Sequence, residues 1–341
     1  MDSTFAERLE AWQRQFGRNT LPWQSTKDPY ARWVSEIMLQ QTQVETVRAY
    51  YLRFIERFPT VSDLAAAPKM EVMKLWEGLG YYRRAENLHR AAREVMVRFG
   101  GRMPKDAADL LTLPGIGDYT ANAVAAFCGG RLLKAPVDGN VRRVLSRCFC
   151  EESFLALPPK PRRVDEIAAE AMSDAADAGV FTQAVFDLGA LVCRPKTPKC
   201  DACPLLQTCR AKAWGVEARV PLTMRPAKGS RIYIVPVDLF EAKTKLKETE
   251  GGLWSGLWAP SGMHQSGEAV EEPSGGFRRV GLPPLKHLLT HLEVTFVPFV
   301  REFDSREAFE KLPGEVFPLD ALPPLSVPIR KIYDALAERI R

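Results

Sequence analysis

From Asp28 to Phe58 the apolar residues Trp33, Ile37, Val44, Val47, Tyr51, Phe54 and Phe58 recur at steps of three, four and seven. That spacing predicts one long amphipathic helix, opened by the pair Asp28-Pro29. Ahead of it, MDSTFAERLEAWQRQFGRN reads as a shorter amphipathic helix of mixed charge. Helical spacing continues over 62–67, 69–78, 84–99, 106–111, 118–128, 139–147, 163–178 and 181–192. Almost nothing before residue 230 alternates as a strand would. The texture then changes. RIYIVPVDLFEA and LEVTFVPFVREF alternate apolar and polar positions, are rich in Val, Ile and aromatics, and are punctuated by Gly and Pro. The pattern predicts a nearly all-α region, a linker near 217–230 and an α+β domain over 231–341.

Composition adds few constraints. At 341 residues, 46% hydrophobic and 26% charged, the chain is long enough for two or three domains with large cores. Its start lacks the apolar core and small-residue cleavage site of a signal peptide, and no run approaches the ~20 uncharged apolar residues of a membrane span. The expectation is a cytoplasmic, nucleoid-associated protein without membrane attachment. A net charge of +5 is modest, but Ala190 to Arg231 alone carries +7, with nine Lys or Arg against Asp201 and Glu217. Such a segment is either a solvated basic loop with a linker behind it or a phosphate-binding patch.

Four cysteines inside that segment change the picture. Cys193, Cys200, Cys203 and Cys209 stand in the spacing C-x6-C-x2-C-x5-C. Thiolates so close in sequence can all reach one inorganic centre. Structural zinc more often uses two C-x2-C knuckles, and only one is present here. A disulfide cage is disfavoured by the odd total of seven cysteines and by a length that needs no staples. A metal cluster is the expectation.

LPGIGDYTANAV, residues 113–124, supplies the second motif. Gly115 and Gly117 permit a tight turn and close approach of a partner, and the free N–H groups opening the next helix suit a phosphate. The segment resembles the hairpin of the helix-hairpin-helix motif. Joined to the cysteine spacing, it resembles the iron–sulfur branch of the helix-hairpin-helix base-excision DNA glycosylases. LPWQ (21–24) and DPYARWVSEIMLQQTQVETV (28–47) resemble the signature of its MutY-type adenine glycosylases.

That resemblance implies a multi-domain fold: an all-α helix-hairpin-helix glycosylase region over 1–216, then a Nudix-like α+β domain over 231–341. Within the first lie a six-helix barrel module at about 21–130 and an iron–sulfur module from 1–20 and 131–216. One 4Fe–4S cluster would be held by Cys193, Cys200, Cys203 and Cys209. Glu36 is the implied general acid and base, a carboxyl made protonatable by apolar neighbours on its helix. Asp138, in APVDGNVRRV, would stabilise an oxocarbenium ion at the sugar, with Asn140 supporting it. Tyr119 stands where the lyase branch places a Schiff-base Lys, so hydrolysis without strand cleavage is expected.

The same resemblance places Trp23, Gln24, Leu39 and Gln183 around the extruded adenine. It makes Gln41 the wedge in the base stack and has Tyr81 intercalate beside the opposite base. Thr42, Leu79 and Gly80 would touch that base. GGLWSGLWAPSG (251–262) and KHLLTHLEVTFVPF (286–299) resemble the domain that reads 8-oxoguanine, without a Nudix catalytic box. There Leu289-Thr290-His291 replaces the usual Phe-Ser-His, which removes an aromatic face. The implied partner is double-stranded DNA with an A:8-oxoguanine or A:G mispair, bound by a monomer. A bifunctional pyrimidine-lesion glycosylase and a non-catalytic, cluster-bearing DNA-binding protein are the competing readings.

Overall fold

The computed structural model describes residues 4–155, 161–222, 229–267, 270–279, 282–289 and 292–340. By contact the chain divides into two compact units: Met1–Ala66 with Arg90–Met224, and Ala67–His89 with Arg225–Arg341.

The first unit is helical. α1 (Phe5–Phe16) is opened by a capping box between Thr4 and Glu7, and a 3-10 turn follows at Pro22–Ser25. The stretch 28–58 is two helices, α2 (Pro29–Leu39) and α3 (Val44–Arg57). The apolar periodicity passes through the break because Ile37 and Val44 are seven residues apart. The backbone does not: Gln41 takes φ +55°, which no right-handed helix accommodates. α4 (Val61–Ala66) comes next; α5 (Lys69–Trp76) and the start of α6 (Arg83–Arg98) belong by contact to the second unit, and the rest of α6 leads to a single turn α7 (Ala107–Leu110). α8 (Asp118–Cys128) and α9 (Gly139–Cys148) match their expected spans closely. α10 (Pro161–Ser173) stops short of 178, because the Asp177 carboxylate caps Gly179 and Val180 and starts α11 (Ala178–Leu191) there. α12 (Arg210–Ala213) ends the helical series of this unit.

α2, α8 and α11 form the centre, each buried along most of its length. α9 crosses α11 so closely that a Cβ on Gly189 would sit 2.6 Å from the Asn140 Cβ. Glycine at 189 therefore sets where the start of α9 lies.

The second unit holds a seven-stranded sheet among its described residues. The strands are β1 (Gly229–Phe240), β2 (Lys243–Glu248), β3 (Trp258–Pro260), β4 (His264–Ser266), β5 (Leu285–Leu288), β6 (Leu292–Glu302) and β7 (Glu315–Pro318). Their order is β3-β2-β1-β6-β5, with β4 pairing β1 and β7 pairing β2. β1 and β6 run parallel from Gly229↔Leu292 to Leu239↔Glu302; the other pairs are antiparallel. The helices α13 (Arg306–Glu310) and α14 (Val327–Ile340) complete the unit, and Ile329, Ile332, Tyr333 and Leu336 of α14 join the core of Val235, Val237, Val294 and Phe296.

The linear reading keeps 67–89 within the helical region, whereas contacts group these residues with the sheet. Ion pairs run between them: Lys69 to Glu248 at 2.6 Å and Arg330 to Glu77 at 2.7 Å.

Candidate active site

A cleft of about 750 Å³ in the first unit brings together Glu36, Leu39, Gln41, Thr42, Gly117, Tyr119, Asp138 and Asn140. Residues spread over a hundred positions of sequence thus share one wall. Glu36 comes from the buried α2, Tyr119 from the first turn of α8, and Asp138 from the cap of α9.

Glu36 is only 4% exposed, and the Tyr119 hydroxyl donates to its Oε2 at 3.1 Å. Burial raises its pKa to about 7; the Tyr119 hydrogen bond and Arg32, one turn earlier, pull the other way, and Asp138 adds to the rise. The group is therefore poised to hold and release a proton near neutrality. Asp138 is fixed differently. Its Oδ1 accepts from the Val141 amide at 2.7 Å, and its Oδ2 accepts from Asn140 Nδ2 at 3.1 Å. Burial raises this carboxyl too, but both hydrogen bonds and Arg143 oppose the rise.

Three polar groups organise the cleft that sequence reasoning missed. Arg143 donates to Asn140 Oδ1 (2.8 Å), Gly189 O (2.7 Å) and Cys193 O (2.7 Å), tying the start of α9 to α11 and to the cysteine segment. Asp187, fully buried, accepts from Gln13, Gln183 and three N–H groups of Arg18. Arg18 in turn lines the cleft. All three read as ordinary helix-surface charges until their partners are known.

The remaining expected residues fall into separate places. Gln24 and Gln183 line a neighbouring cavity rather than the cleft, and Trp23 is buried edge-on against Tyr51. Gly115 has φ +74°, and a Cβ on Gly117 would meet nothing within 4 Å. The first turn of α8 has no side-chain cap, and Gly117, Asp118, Tyr119 and Thr120 line the cleft. In the second unit Leu79 is buried, while Gly80 and Tyr81 both have positive φ and Tyr81 is 42% exposed. Arg84 braces this turn through hydrogen bonds to Leu79 O and Gly80 O. Only three non-glycine described residues have positive φ, and two of them are Gln41 and Tyr81. Leu289 packs on the sheet core; Thr290 and His291 lie outside the described residues.

Residues 34–172 match the model of the HhH-GPD superfamily base excision DNA repair proteins. The adenine DNA glycosylase of Buchnera aphidicola subsp. Baizongia pistaciae is 40% identical over 309 residues, 86% of this chain and 85% of that protein. The chain belongs to the adenine DNA glycosylase family. The human adenine DNA glycosylase is 41% identical over 222 residues, 62% of this chain but 40% of the human protein. Among solved structures, a thermostable thymine-DNA glycosylase superposes with a TM-score of 0.56 at 30% identity, covering 62% of this chain and 95% of that one.

In this member of the adenine DNA glycosylase family, Cys193, Cys200, Cys203 and Cys209 line one small cavity with Arg147, Lys212 and Glu217, and none is in a disulfide. Arg147 is 2% exposed and approaches Cys193 Sγ at 3.4 Å. Its other bonds go to the carbonyls of Arg194, Pro195 and Val220, so it pins both ends of the cysteine segment. Among the described residues, no group of three or more His, Cys, Asp or Glu is arranged to hold a single metal ion. Arg194, Lys196, Lys199 and Arg210 of the same segment are exposed. No helix among the described residues is long and apolar enough to cross a membrane.

Proposed function

We propose that the chain hydrolyses the N-glycosidic bond of adenine mispaired with 8-oxoguanine, and with guanine, without cutting the strand. The observation that carries this reading is a buried Glu36, hydrogen-bonded by Tyr119, in one cleft with Asp138. The adenine leaves the stack before reaction. Glu36 protonates N7, the C1′–N9 bond breaks with its electron pair going to the purine, and Asp138 faces the cationic sugar. A water oxygen then bonds to C1′ and its proton returns to a cleft carboxylate. Asn140, held by Arg143, fixes Asp138. A tyrosine at 119 forms no imine, which supports base removal alone.

Gln41 and Tyr81, each held at positive φ, are suited to enter the base stack, with Thr42, Leu79 and Gly80 beside the opposite base. Leu39 meets the adenine from the cleft; Trp23, Gln24 and Gln183 would meet it only from behind. The Gly115–Gly117 hairpin and the open first turn of α8 would hold a phosphate. The four cysteines, which line one small cavity, are suited to hold a 4Fe–4S cluster. Such a cluster, when bound, cross-links the basic segment and presents it to DNA phosphates. The C-terminal unit, a Nudix-like domain on this reading, contributes Leu289, Thr290 and His291 to the 8-oxoguanine, and the monomer works in the cytoplasm at the nucleoid.

Incubation with a duplex carrying A opposite 8-oxoguanine, followed by hot alkali, tests the assignment. No alkali-labile site at the adenine sinks it, and a borohydride-trappable imine would favour the lyase reading. Because the acid must carry its proton, single-turnover rates should fall as pH rises through about 7, the value to which burial lifts Glu36. A rate flat from pH 6 to 8.5 would remove Glu36 from that role. Leu289→Phe should leave excision intact and increase the preference for 8-oxoguanine over guanine; an unchanged ratio would show that the contact is unimportant.

A further inference from the structure

α5 ends at Trp76, and Glu77, with φ −55° and ψ 126°, is where the chain leaves the helix. The turn that follows, Gly78-Leu79-Gly80-Tyr81, has positive φ at three of its four residues. Glycine takes such angles freely, whereas Tyr81, at φ +49°, does so only where its surroundings hold it. Part of that hold is local. The Gly78 amide donates to the Tyr82 hydroxyl at 3.0 Å, and Trp76 Nε1 donates to Gly80 O at 3.2 Å. The Arg84 guanidinium lies 5.3 Å from the centre of the Tyr81 ring and steadies the side chain.

The rest of the hold comes from a distant part of the sequence. Glu77 Oε1 accepts from Arg330 Nε at 2.7 Å and from the Leu325 amide at 3.5 Å. Its Oε2 lies 2.8 Å from Lys74 Nζ, which also donates to Leu322 O at 3.4 Å. The partner segment is itself rigidly based. Leu322, Leu325 and Ile329 are buried in the sheet core, Pro324 O accepts from the Trp258 amide of β3, and Pro323 O accepts from Arg330 Nη2. The Glu77 and Arg330 side chains are 14% and 24% exposed, against 54% and 76% for an outer pair such as Glu310 and Arg306. An outer pair fixes little, but this one is sheltered enough to hold a geometry. Because Glu77 adjoins Gly78, whatever fixes its carboxylate acts directly on the first peptide of the turn.

We propose that Glu77 and Arg330 are positioning residues, through which the sheet-bearing unit sets the Tyr81 turn for entry into the base stack. That unit then acts on the base opposite adenine through Tyr81 as well as through contacts of its own. This role rests on the reading above, in which Tyr81 enters the stack beside that base.

Fluorescence anisotropy on the full chain tests it, with a duplex in which a tetrahydrofuran abasic analogue, which cannot be excised, faces 8-oxoguanine. Tyr81→Ala should weaken binding about tenfold or more, the worth of one base–aromatic stack. Arg330→Leu should weaken it at least about threefold, the size of coupling expected between groups in one network. In the Tyr81→Ala background the same substitution should cost less than about twofold, since it acts through a ring no longer there. If Arg330→Leu fails to fold by circular dichroism, Glu77→Ala replaces it in the cycle, because Arg330 then keeps its bond to Pro323. The proposal falls if the folded variant binds normally, or if its loss adds in full to that of Tyr81→Ala, as a merely structural pair would. If the wild type does not bind this duplex, or Tyr81→Ala binds it as tightly as wild type, the reading of Tyr81 falls first and takes the proposal with it.

Discussion

Glu36→Gln is expected to lower the single-turnover rate of adenine excision by about 100- to 10,000-fold, the range a positioned general acid contributes. The amide matches the carboxyl in shape and keeps an acceptor for the Tyr119 hydroxyl, so little else changes. What it lacks is a proton to transfer. Affinity for the mispaired duplex should stay within a few-fold of wild type. Stability gives an independent reading with a definite sign. A buried carboxyl with its pKa lifted from 4.5 to about 7 favours folding only while protonated. The wild type therefore loses stability as pH climbs through that window, by up to about 3 kcal/mol at pH 8, and the glutamine variant does not. The variant should melt higher than wild type at pH 8 and differ little at pH 4. A variant that melts lower at pH 8 and loses DNA binding would mean that Glu36 serves the fold.

The same carboxyl illustrates what the sequence makes legible. Its helix, its apolar neighbours and the surrounding motif are local, and so are the capped start of α11 and the cysteine spacing. Hydrophobic periodicity says which face of an element is buried, not what covers it. It therefore runs across the break at Gln41, where a single positive φ separates two helices without disturbing the step from Ile37 to Val44. Nor can it foresee that 67–89 groups with a sheet whose strands begin at Gly229, since Lys69–Glu248 and Glu77–Arg330 couple residues about 180 and 250 positions apart. Arg18, Arg143, Arg147 and Asp187 were illegible for a related reason. A charged residue reads as solvated until its partners are known, and here the acceptors of the arginines and the donors to Asp187 lie mostly on other elements.

Asp138→Asn is the second substitution expected to have a large effect, because it removes a charge while leaving a capping residue in place. Asparagine still offers one oxygen to the Val141 amide, so α9 keeps its cap. The other atom now becomes an amide nitrogen facing Asn140 Nδ2, a donor against a donor. Asn140 cannot turn to relieve this, since its Oδ1 is held by Arg143 at 2.8 Å, and Arg143 is itself tied to Gly189 and Cys193. The developing positive charge at the sugar then meets a neutral dipole in place of an anion. Removing one such preorganised electrostatic partner costs about 3 kcal/mol or more, so the single-turnover rate should drop by at least about 100-fold. The pH dependence separates this role from that of Glu36: any residual activity should keep its decline near pH 7, because the acid is intact. A near-normal rate would show that the sugar is stabilised from elsewhere, leaving Asp138 as the cap of α9.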